Sequence, residues 1–356
     1  MTTNGETFCE HGASRPLTLP NDEDSTPRIN KLDSLRFVAA FWVAMSHGAL
    51  PLQEVFPEAN LHRLFGAFNS LFDGVVAVVL FFIVSGFCIH LPYVNARNFP
   101  FIKFLICRYI RIGIPLIAIL LIMQLLGGSA SKGGHRVLWS IYAEIVYYTL
   151  YPWLFVLHKR VGWGIIIGIS GVISTAMTLT HLTNLWPWQF GPLTWLWGLP
   201  IWVSGCALAE SFRTRSLFNV YGSVWLWRLT ALALGPAAVF GVFHAQVKIS
   251  YSVSMLVFTI FIFFWLSLEM RTQSGAWRIL ESFGGASYSL YLVHNVAIGG
   301  VIDYLNLLPS EIAIVLPWTA ITATTYIFYK VVESPSHFAA RSAARAFSSE
   351  ADVGSR

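Results

Sequence analysis

Residues 71–91 read LFDGVVAVVLFFIVSGFCIHL. After Asp73 this stretch has no acidic residue, lysine or arginine, and about 20 apolar residues are what a helix needs to cross the hydrocarbon core of a bilayer. Nine other stretches of similar length and character occur, each bounded by charge, proline or glycine. The ten predicted spans are 35–52, 71–91, 104–126, 137–157, 161–180, 190–209, 225–243, 249–268, 283–302 and 312–332. The pattern predicts an all-α, polytopic membrane protein with about ten transmembrane helices.

The composition of the chain favours the same class. Of its 356 residues, 55% are hydrophobic and only 12% are charged, whereas soluble globular proteins carry about 25% charged residues. A soluble enzyme, a disordered chain, a coiled coil and a disulfide scaffold are therefore excluded. The four cysteines are far apart and lack the spacing of zinc ligands, so no metal site is predicted.

The basic residues indicate the orientation. With the amino terminus inside, 19 of the 23 lysines and arginines fall on the cytoplasmic side and 4 on the other. This asymmetry predicts that both termini are cytoplasmic, in a multi-pass protein of the plasma (inner) membrane. Residues 1–34 are then a polar cytoplasmic tail, 35–333 the ten-helix membrane domain and 334–356 a second cytoplasmic tail. The basic residues do not cluster on one polar face, so no nucleic-acid partner is expected, and membrane lipids surround the protein.

Three ionisable side chains lie deep within the predicted spans. Counting a rise of about 1.5 Å per residue from the cytoplasmic edge, His47 lies at about 18 Å, Glu144 at about 20 Å and His294 at about 16 Å. A charge at the centre of a span costs at least about 2.5 kcal/mol, so the carboxylate of Glu144 indicates function. An intramembrane histidine also serves as a hydrogen-bonding residue between helices, and for His294 both interpretations stay open.

Arginines mark the cytoplasmic ends of two spans. His47 lies eleven positions after Arg36, which places both side chains on one face of the first helix. Arg108 and Arg111, three residues apart, share one side of the third helix. Guanidinium groups suit phosphate oxygens, so these arginines predict a site for a phosphate-rich ligand from the cytoplasm. For Arg108 and Arg111 the more frequent alternative is snorkelling to lipid headgroups.

The second span contains a serine next to a glycine. Such a pair in an apolar helix most often permits close helix packing. Ser85, however, lies about 9 Å from the inner edge, between the level of the arginines and that of His47. It is therefore also predicted to line a polar route into the membrane.

Tryptophans crowd around one external loop that has no lysine or arginine. An aromatic belt at the membrane interface is the favoured interpretation, and a stacking platform for a sugar is the alternative. The residues are Trp186, Trp188, Trp195, Trp197 and Trp202.

Several motifs follow one another in a characteristic order. They are Arg36 with His47 after ten intervening residues, Ser85-Gly86-Phe87, Arg108-x-x-Arg111, WSIYAE at 139–144 with Tyr147-Tyr148, and ASYSLYLVH at 286–294. Together they resemble the acyltransferase 3 family of polytopic membrane acyltransferases, over residues 32–333. One departure is Pro115, which follows Arg111 by four residues where the family's proline is expected at three.

The resemblance implies an enzyme that moves an acyl group, usually acetyl from acetyl-CoA, to a hydroxyl of a carbohydrate or glycolipid acceptor. It assigns catalysis to His47 and binding of the acyl donor to Arg108 and Arg111. We add Arg36 and Ser85 to the donor site, and Glu144 as the group that orients His47. His47 acts as general base, with a covalent acyl-histidine as the alternative course, and no metal is needed.

A proton-coupled secondary transporter is the rival interpretation, because intramembrane histidines and glutamates also form proton relays. Transporters of this size often consist of two similar halves. No convincing repeat relates the first five spans to the last five. A non-catalytic scaffold would leave the buried Glu144 without an explanation.

Overall fold

The computed structural model describes residues 30–49, 51–52, 68, 71–127, 137–181, 186–218, 220–243, 251–272 and 278–353. Regular structure within these ranges is helical, without a strand. The α-helices are α1 (Asn30–Ser46), α2 (Gly74–His90), α3 (Phe101–Leu126), α4 (Trp139–Thr180), α5 (Thr194–Arg213), α6 (Val224–Phe243), α7 (Tyr251–Arg271), α8 (Arg278–Gly284), α9 (Ser287–Val301), α10 (Ser310–Phe328) and α11 (Ser334–Val353). A π-helical turn, Tyr329–Glu333, joins α10 to α11.

Six helical stretches of the described residues are long and apolar enough to cross a membrane. They are Gly74–Tyr93, Phe101–Leu126, Trp139–Thr180, Pro187–Arg213, Tyr251–Arg271 and Ser310–Ala346. The shorter apolar stretch Val224–Gly235 lies in α6. The all-α polytopic class is therefore confirmed, while the number of ten spans stays a prediction.

The 42-residue α4 covers both the fourth and the fifth predicted span. Gly162 divides it, with a φ of 78° in the region that favours glycine. Before this break Tyr147 donates a hydrogen bond to the carbonyl of Trp195, and after it Ser174 donates one to the carbonyl of Trp197. Since both arms contact the same turn of α5, they lie side by side, as expected of two separate spans.

Helices α2 and α5 pack backbone against backbone. A Cβ atom added at Gly86 would lie 2.0 Å from the carbonyl oxygen of Trp202, and one at Gly205 would lie 2.0 Å from that of Ile83. Small residues allow the backbones of neighbouring helices in membrane bundles to come this close. The packing interpretation of the serine-glycine pair is therefore correct for Gly86.

We expect Gly86→Ala to destabilise the protein by about 1–3 kcal/mol or more, because the added methyl group meets backbone atoms that have no rotamer to adopt. Thermal unfolding in detergent, followed by size-exclusion chromatography, measures the effect. The matched control is Gly168→Ala in α4, where a Cβ meets nothing within 4 Å. Equal unfolding midpoints for the two variants would contradict the prediction.

Helix α1 is shorter at its carboxyl end than the predicted first span. Gly48 has a φ of 89°; its amide donates to the carbonyl of Met45, and the amide of Ala49 donates to that of Ala44. This pair of bonds is a Schellman motif, the usual way in which a glycine ends a helix. His47 therefore lies in the turn that closes α1, and its predicted location inside a longer helix is wrong.

The segment predicted as a carboxyl-terminal tail contains α11, which packs along α3. The thiol of Cys107 donates to the carbonyl of Ala340 at 3.6 Å. Pro115 has no amide hydrogen, so the carbonyl of Arg111 one turn earlier lacks its helical partner. The hydroxyl of Ser336 in α11 lies 3.5 Å from that carbonyl and donates to it.

Candidate active site in the membrane domain

Glu144 is the centre of a buried cluster formed by α2, α4 and α5. Its Oε1 accepts hydrogen bonds from Ser85 Oγ, at 2.5 Å, and from the hydroxyl of Tyr148. Trp202 Nε1 in turn donates to Ser85 Oγ at 3.2 Å. Only 3% of Glu144 is exposed. The predicted intramembrane carboxylate thus has two hydroxyl donors, and one of them is the predicted Ser85.

The three predicted arginines lie next to this cluster. The guanidinium carbon of Arg108 is 5.8 Å from the centre of the Tyr148 ring. Arg36 Nη1 lies 3.8 Å from Asp33 Oδ1 on its own helix, and Arg111 follows Arg108 by three residues on α3. Within the described part of the chain Arg108 makes no salt bridge. Its guanidinium group lies over aromatic faces, an arrangement that leaves N–H groups for an anionic ligand.

Arg111 also belongs to a network that includes α11. Its Nε donates to His337 Nε2 at 3.1 Å, and that nitrogen is 3.6 Å from Glu333 Oε1. Glu333 Oε2 accepts from the backbone amide of Ser289 at 2.9 Å and from its hydroxyl at 2.5 Å. None of these three partners was predicted. The four-residue spacing of Glu333 and His337 was an available signal, but the predicted end of the membrane domain separated them.

His47 is held by its own helix. Its Nδ1 lies 2.8 Å from the carbonyl oxygen of Val43, one turn earlier. A carbonyl only accepts, so Nδ1 carries the hydrogen and Nε2 keeps the lone pair. The side chain is exposed, and a Cβ added to Gly74, the first residue of α2, would lie 3.6 Å from its ring. The expectation that Glu144 orients His47 is therefore wrong, because a backbone carbonyl takes that place.

His294 on α9 is a ring neighbour of His47, with 5.3 Å between the ring centres. Its Nδ1 donates to the carbonyl of Leu290 at 3.2 Å, so it has the same tautomer as His47. Among the described residues the buried Nε2 of His294 has no hydrogen-bond partner. Two imidazole rings with available Nε2 atoms therefore lie together.

Two hydrogen-bonded polar side chains, Tyr291 and Ser140, lie one helical turn from His294 and from Glu144, respectively. The hydroxyl of Tyr291, one turn before His294, donates to the carbonyl of Val137 at 2.8 Å. It accepts a hydrogen bond from Ser140 Oγ at 2.6 Å. Ser140 lies on α4 one turn before Glu144. A run of polar groups thus extends through the bundle, although Glu144 and His47 are not bonded to each other.

Four of the five tryptophans named in the sequence fall into two groups according to their contacts. Trp197 and Trp202 are fully buried and donate their indole N–H groups inside the bundle. The interfacial belt is therefore wrong for these two, because their polar atoms have partners in the core. The rings of Trp186 and Trp188 stack with 5.0 Å between their centres, and Trp188 lies 6.5 Å from Trp139. Trp139 directly precedes Ser140 in the polar run.

These features define a class: a polytopic helical membrane protein with arginines, a carboxylate and histidines gathered inside its bundle. A family model described as "Acyltransferase domain" matches residues 29–329. The chain therefore belongs to the acyltransferase 3 family, as its motifs indicate, and is a membrane acyltransferase. Comparisons with curated proteins and with solved structures gave no match.

Proposed function

We propose that this protein is a membrane O-acyltransferase that moves an acetyl group from cytoplasmic acetyl-CoA to a hydroxyl of a carbohydrate or glycosylated acceptor. The single observation that carries this proposal is the run of polar groups between the arginines and the histidine pair. Membership of the family is the evidence that the protein transfers an acyl group. The donor, the acceptor and the roles of the residues are inferred from the arrangement of the side chains.

The arginines are proposed to bind the phosphates of the donor. Arg108 and Arg111 lie three residues apart on α3, and Arg36, Arg108 and Arg111 all follow predicted cytoplasmic helix ends. Arg36 and His47 are eleven residues apart, which corresponds to about 16 Å along α1. The pantetheine arm of CoA is long enough to cover that distance. The thioester would then lie next to His47 while the phosphates stay with the arginines.

His47 is proposed to act as the general base. A sugar hydroxyl is a poor nucleophile at neutral pH, and Nε2 of a neutral imidazole accepts its proton. The hydroxyl oxygen attacks the thioester carbonyl carbon, the carbon–sulfur bond breaks, and the imidazolium returns the proton to the leaving thiolate of CoA. Glu144 is proposed as a positioning residue that holds Ser85 and Tyr148 beneath Arg108.

The aromatic run supports an acceptor that approaches from the external side. By the predicted orientation, Trp186 and Trp188 lie on the side opposite the arginines. Trp139, whose ring is tilted by 46° at 6.5 Å from that of Trp188, extends this aromatic run towards Ser140 and the histidine pair. Flat aromatic faces suit the apolar faces of sugar rings. Donor and acceptor would therefore meet at His47 from opposite sides.

Labelled acetyl-CoA and the protein reconstituted in vesicles test this function. Release of free CoA that depends on an added carbohydrate acceptor, with label in the acceptor, is the expected result. Flux of a solute without release of CoA would support the rival transporter instead. Mass spectrometry of cell-surface glycans with and without the protein then identifies the natural acceptor.

Alanine at Arg108 or Arg111 is expected to raise the KM for acetyl-CoA about tenfold to a hundredfold. A hydrogen bond to a charged group is worth about 1.5–3 kcal/mol, and about 1.4 kcal/mol corresponds to a factor of ten. Arg160→Ala is the control, since Arg160 is an exposed arginine at another predicted cytoplasmic helix end. An unchanged donor KM in both site variants would assign these arginines to lipid headgroups.

A further inference from the structure

A cavity of about 240 Å³ lies on the other side of α1 from the candidate active site. Steps of 100° per residue place its α1 lining about 150° around the helix from Arg36 and His47. That lining consists of Lys31, Ser34, Leu35, Val38 and Trp42. Helices α2, α6 and α7 complete the walls, chiefly with apolar side chains such as Leu80, Leu232 and Phe258. The cavity is therefore separate from the proposed donor site.

Three buried polar atoms on its walls lack a partner. Within the described residues, Ser34 Oγ, Trp42 Nε1 and Trp265 Nε1 make no hydrogen bond. Trp42 and Trp265 are 8% and 7% exposed. An unsatisfied buried donor is destabilising, and an indole N–H can only donate. Each of these atoms exposes less than 1 Å², so its side chain has to rotate towards the cavity before it can donate to acceptor oxygens on a bound molecule.

One end of the cavity is charged. Arg228 donates two hydrogen bonds to the carboxylate of Glu269, at 2.6 and 3.1 Å. The amine of Lys31 donates to the backbone carbonyls of Glu269, at 3.0 Å, and Thr272. Of the charged side chains on the cavity wall, two are thus cationic and one is anionic. These three side chains together leave one net positive charge at this end of the cavity.

The opposite wall, on α6, faces the surroundings of the bundle. Trp225, Leu229 and Leu232 line the cavity and are also 54%, 60% and 42% exposed. In a membrane these positions contact lipid chains rather than water. A molecule can therefore reach the cavity sideways from the bilayer, with its polar end at Lys31 on the predicted cytoplasmic side.

We propose that this cavity binds one lipid with an anionic headgroup and an apolar chain. The headgroup lies at Lys31, and the chain extends along Leu35 and Val38. Ser34 and Trp265 lie within about 6 Å of the charged end along their helices, at the depth of the oxygens that link headgroup to chain. Phospholipids and isoprenoid phosphates share this chemistry.

Native mass spectrometry of the purified protein in detergent tests the proposal. We expect one retained molecule of phosphatidylglycerol, bound at least tenfold more tightly than phosphatidylcholine with the same chains. Lys31→Gln, which keeps donors for the two carbonyls but removes the charge, should abolish that preference. Lys31→Arg, which keeps the charge, should retain it. Equal affinity of the wild-type protein for the two lipids would overturn the proposal.

A second variant tests the cavity itself. Leu232→Trp fills it from the lipid-facing helix and should lower lipid retention at least tenfold. Leu226→Trp is the matched control, because Leu226 is 62% exposed on the same helix and does not line the cavity. Equal retention in the two variants would show that the lipid binds elsewhere. Analysis of the lipid that co-purifies distinguishes a phospholipid from an isoprenoid phosphate, and a neutral lipid would refute the charge argument.

Discussion

His47→Ala is expected to lower kcat for acyl transfer about 10²- to 10⁴-fold, the contribution of a well-placed general base. The affinity for acetyl-CoA should change little, because the proposed phosphate ligands lie about 16 Å away along α1. Stability should also change little, since His47 is exposed and follows the last turn of the helix. The variant therefore separates chemistry from donor binding and from folding.

His181 provides a matched control for this experiment. Its Nδ1 lies 3.0 Å from the carbonyl of Met177, four residues earlier, and 3.1 Å from the hydroxyl of Thr180. His47 has the same two kinds of partner at its own helix end. His181→Ala should keep wild-type kcat. Turnover by purified, correctly folded His47→Ala protein at the rate of the His181 variant would remove His47 from the mechanism.

Glu144→Ala is expected to reduce both stability and activity. The hydroxyls of Ser85 and Tyr148 lose a buried acceptor, at about 1–3 kcal/mol for each unsatisfied group. The unfolding midpoint in detergent should fall accordingly. The donor KM should rise as well, because Tyr148 lies beneath the guanidinium group of Arg108 and loses its anchor.

The conservative variant Glu144→Gln separates the two effects. Its amide oxygen still accepts from Ser85 and Tyr148, so most of the stability should return, whereas the negative charge next to Tyr148, whose ring lies beneath Arg108, is lost. We therefore expect a raised donor KM in a stable protein. Glu311→Ala, at an exposed position near the start of α10, is the control. A Glu144→Ala protein with wild-type stability and donor KM would contradict the proposed role.

The sequence predicted much of the fold because length and apolar composition alone are enough to identify a membrane span. The break between the fourth and fifth spans was expected within a few residues of Gly162. The end of α1 was missed even though Gly48 is a helix-terminating signal that the chain itself provides. Apolar residues continue beyond that glycine, and counting hydrophobicity alone does not show that the backbone has turned.

The sequence predicted which residues belong to the candidate site, but not which of them contact each other. Depths counted along separate helices placed Ser85 about 11 Å nearer the cytoplasm than Glu144, yet the two are hydrogen-bonded. Such counting assumes straight, untilted helices with level ends, and packed helices tilt against one another. Contacts between distant segments, such as His47 with His294, depend on the tertiary fold. His337 lies in the segment that the sequence predicts as a cytoplasmic tail, so its contact with Arg111 is not predicted.

The way in which His47 is fixed has a consequence for substrate passage. The carbonyl that sets its tautomer belongs to Val43, and the turn that places its ring is closed by Gly48 and Ala49. A peptide of seven consecutive residues, 43–49, therefore encodes the proton-accepting form of the imidazole without help from another helix. Under the proposed function, a movement of neighbouring helices around an acceptor would leave the tautomer of His47 unchanged, because the carbonyl that fixes it belongs to the same helix.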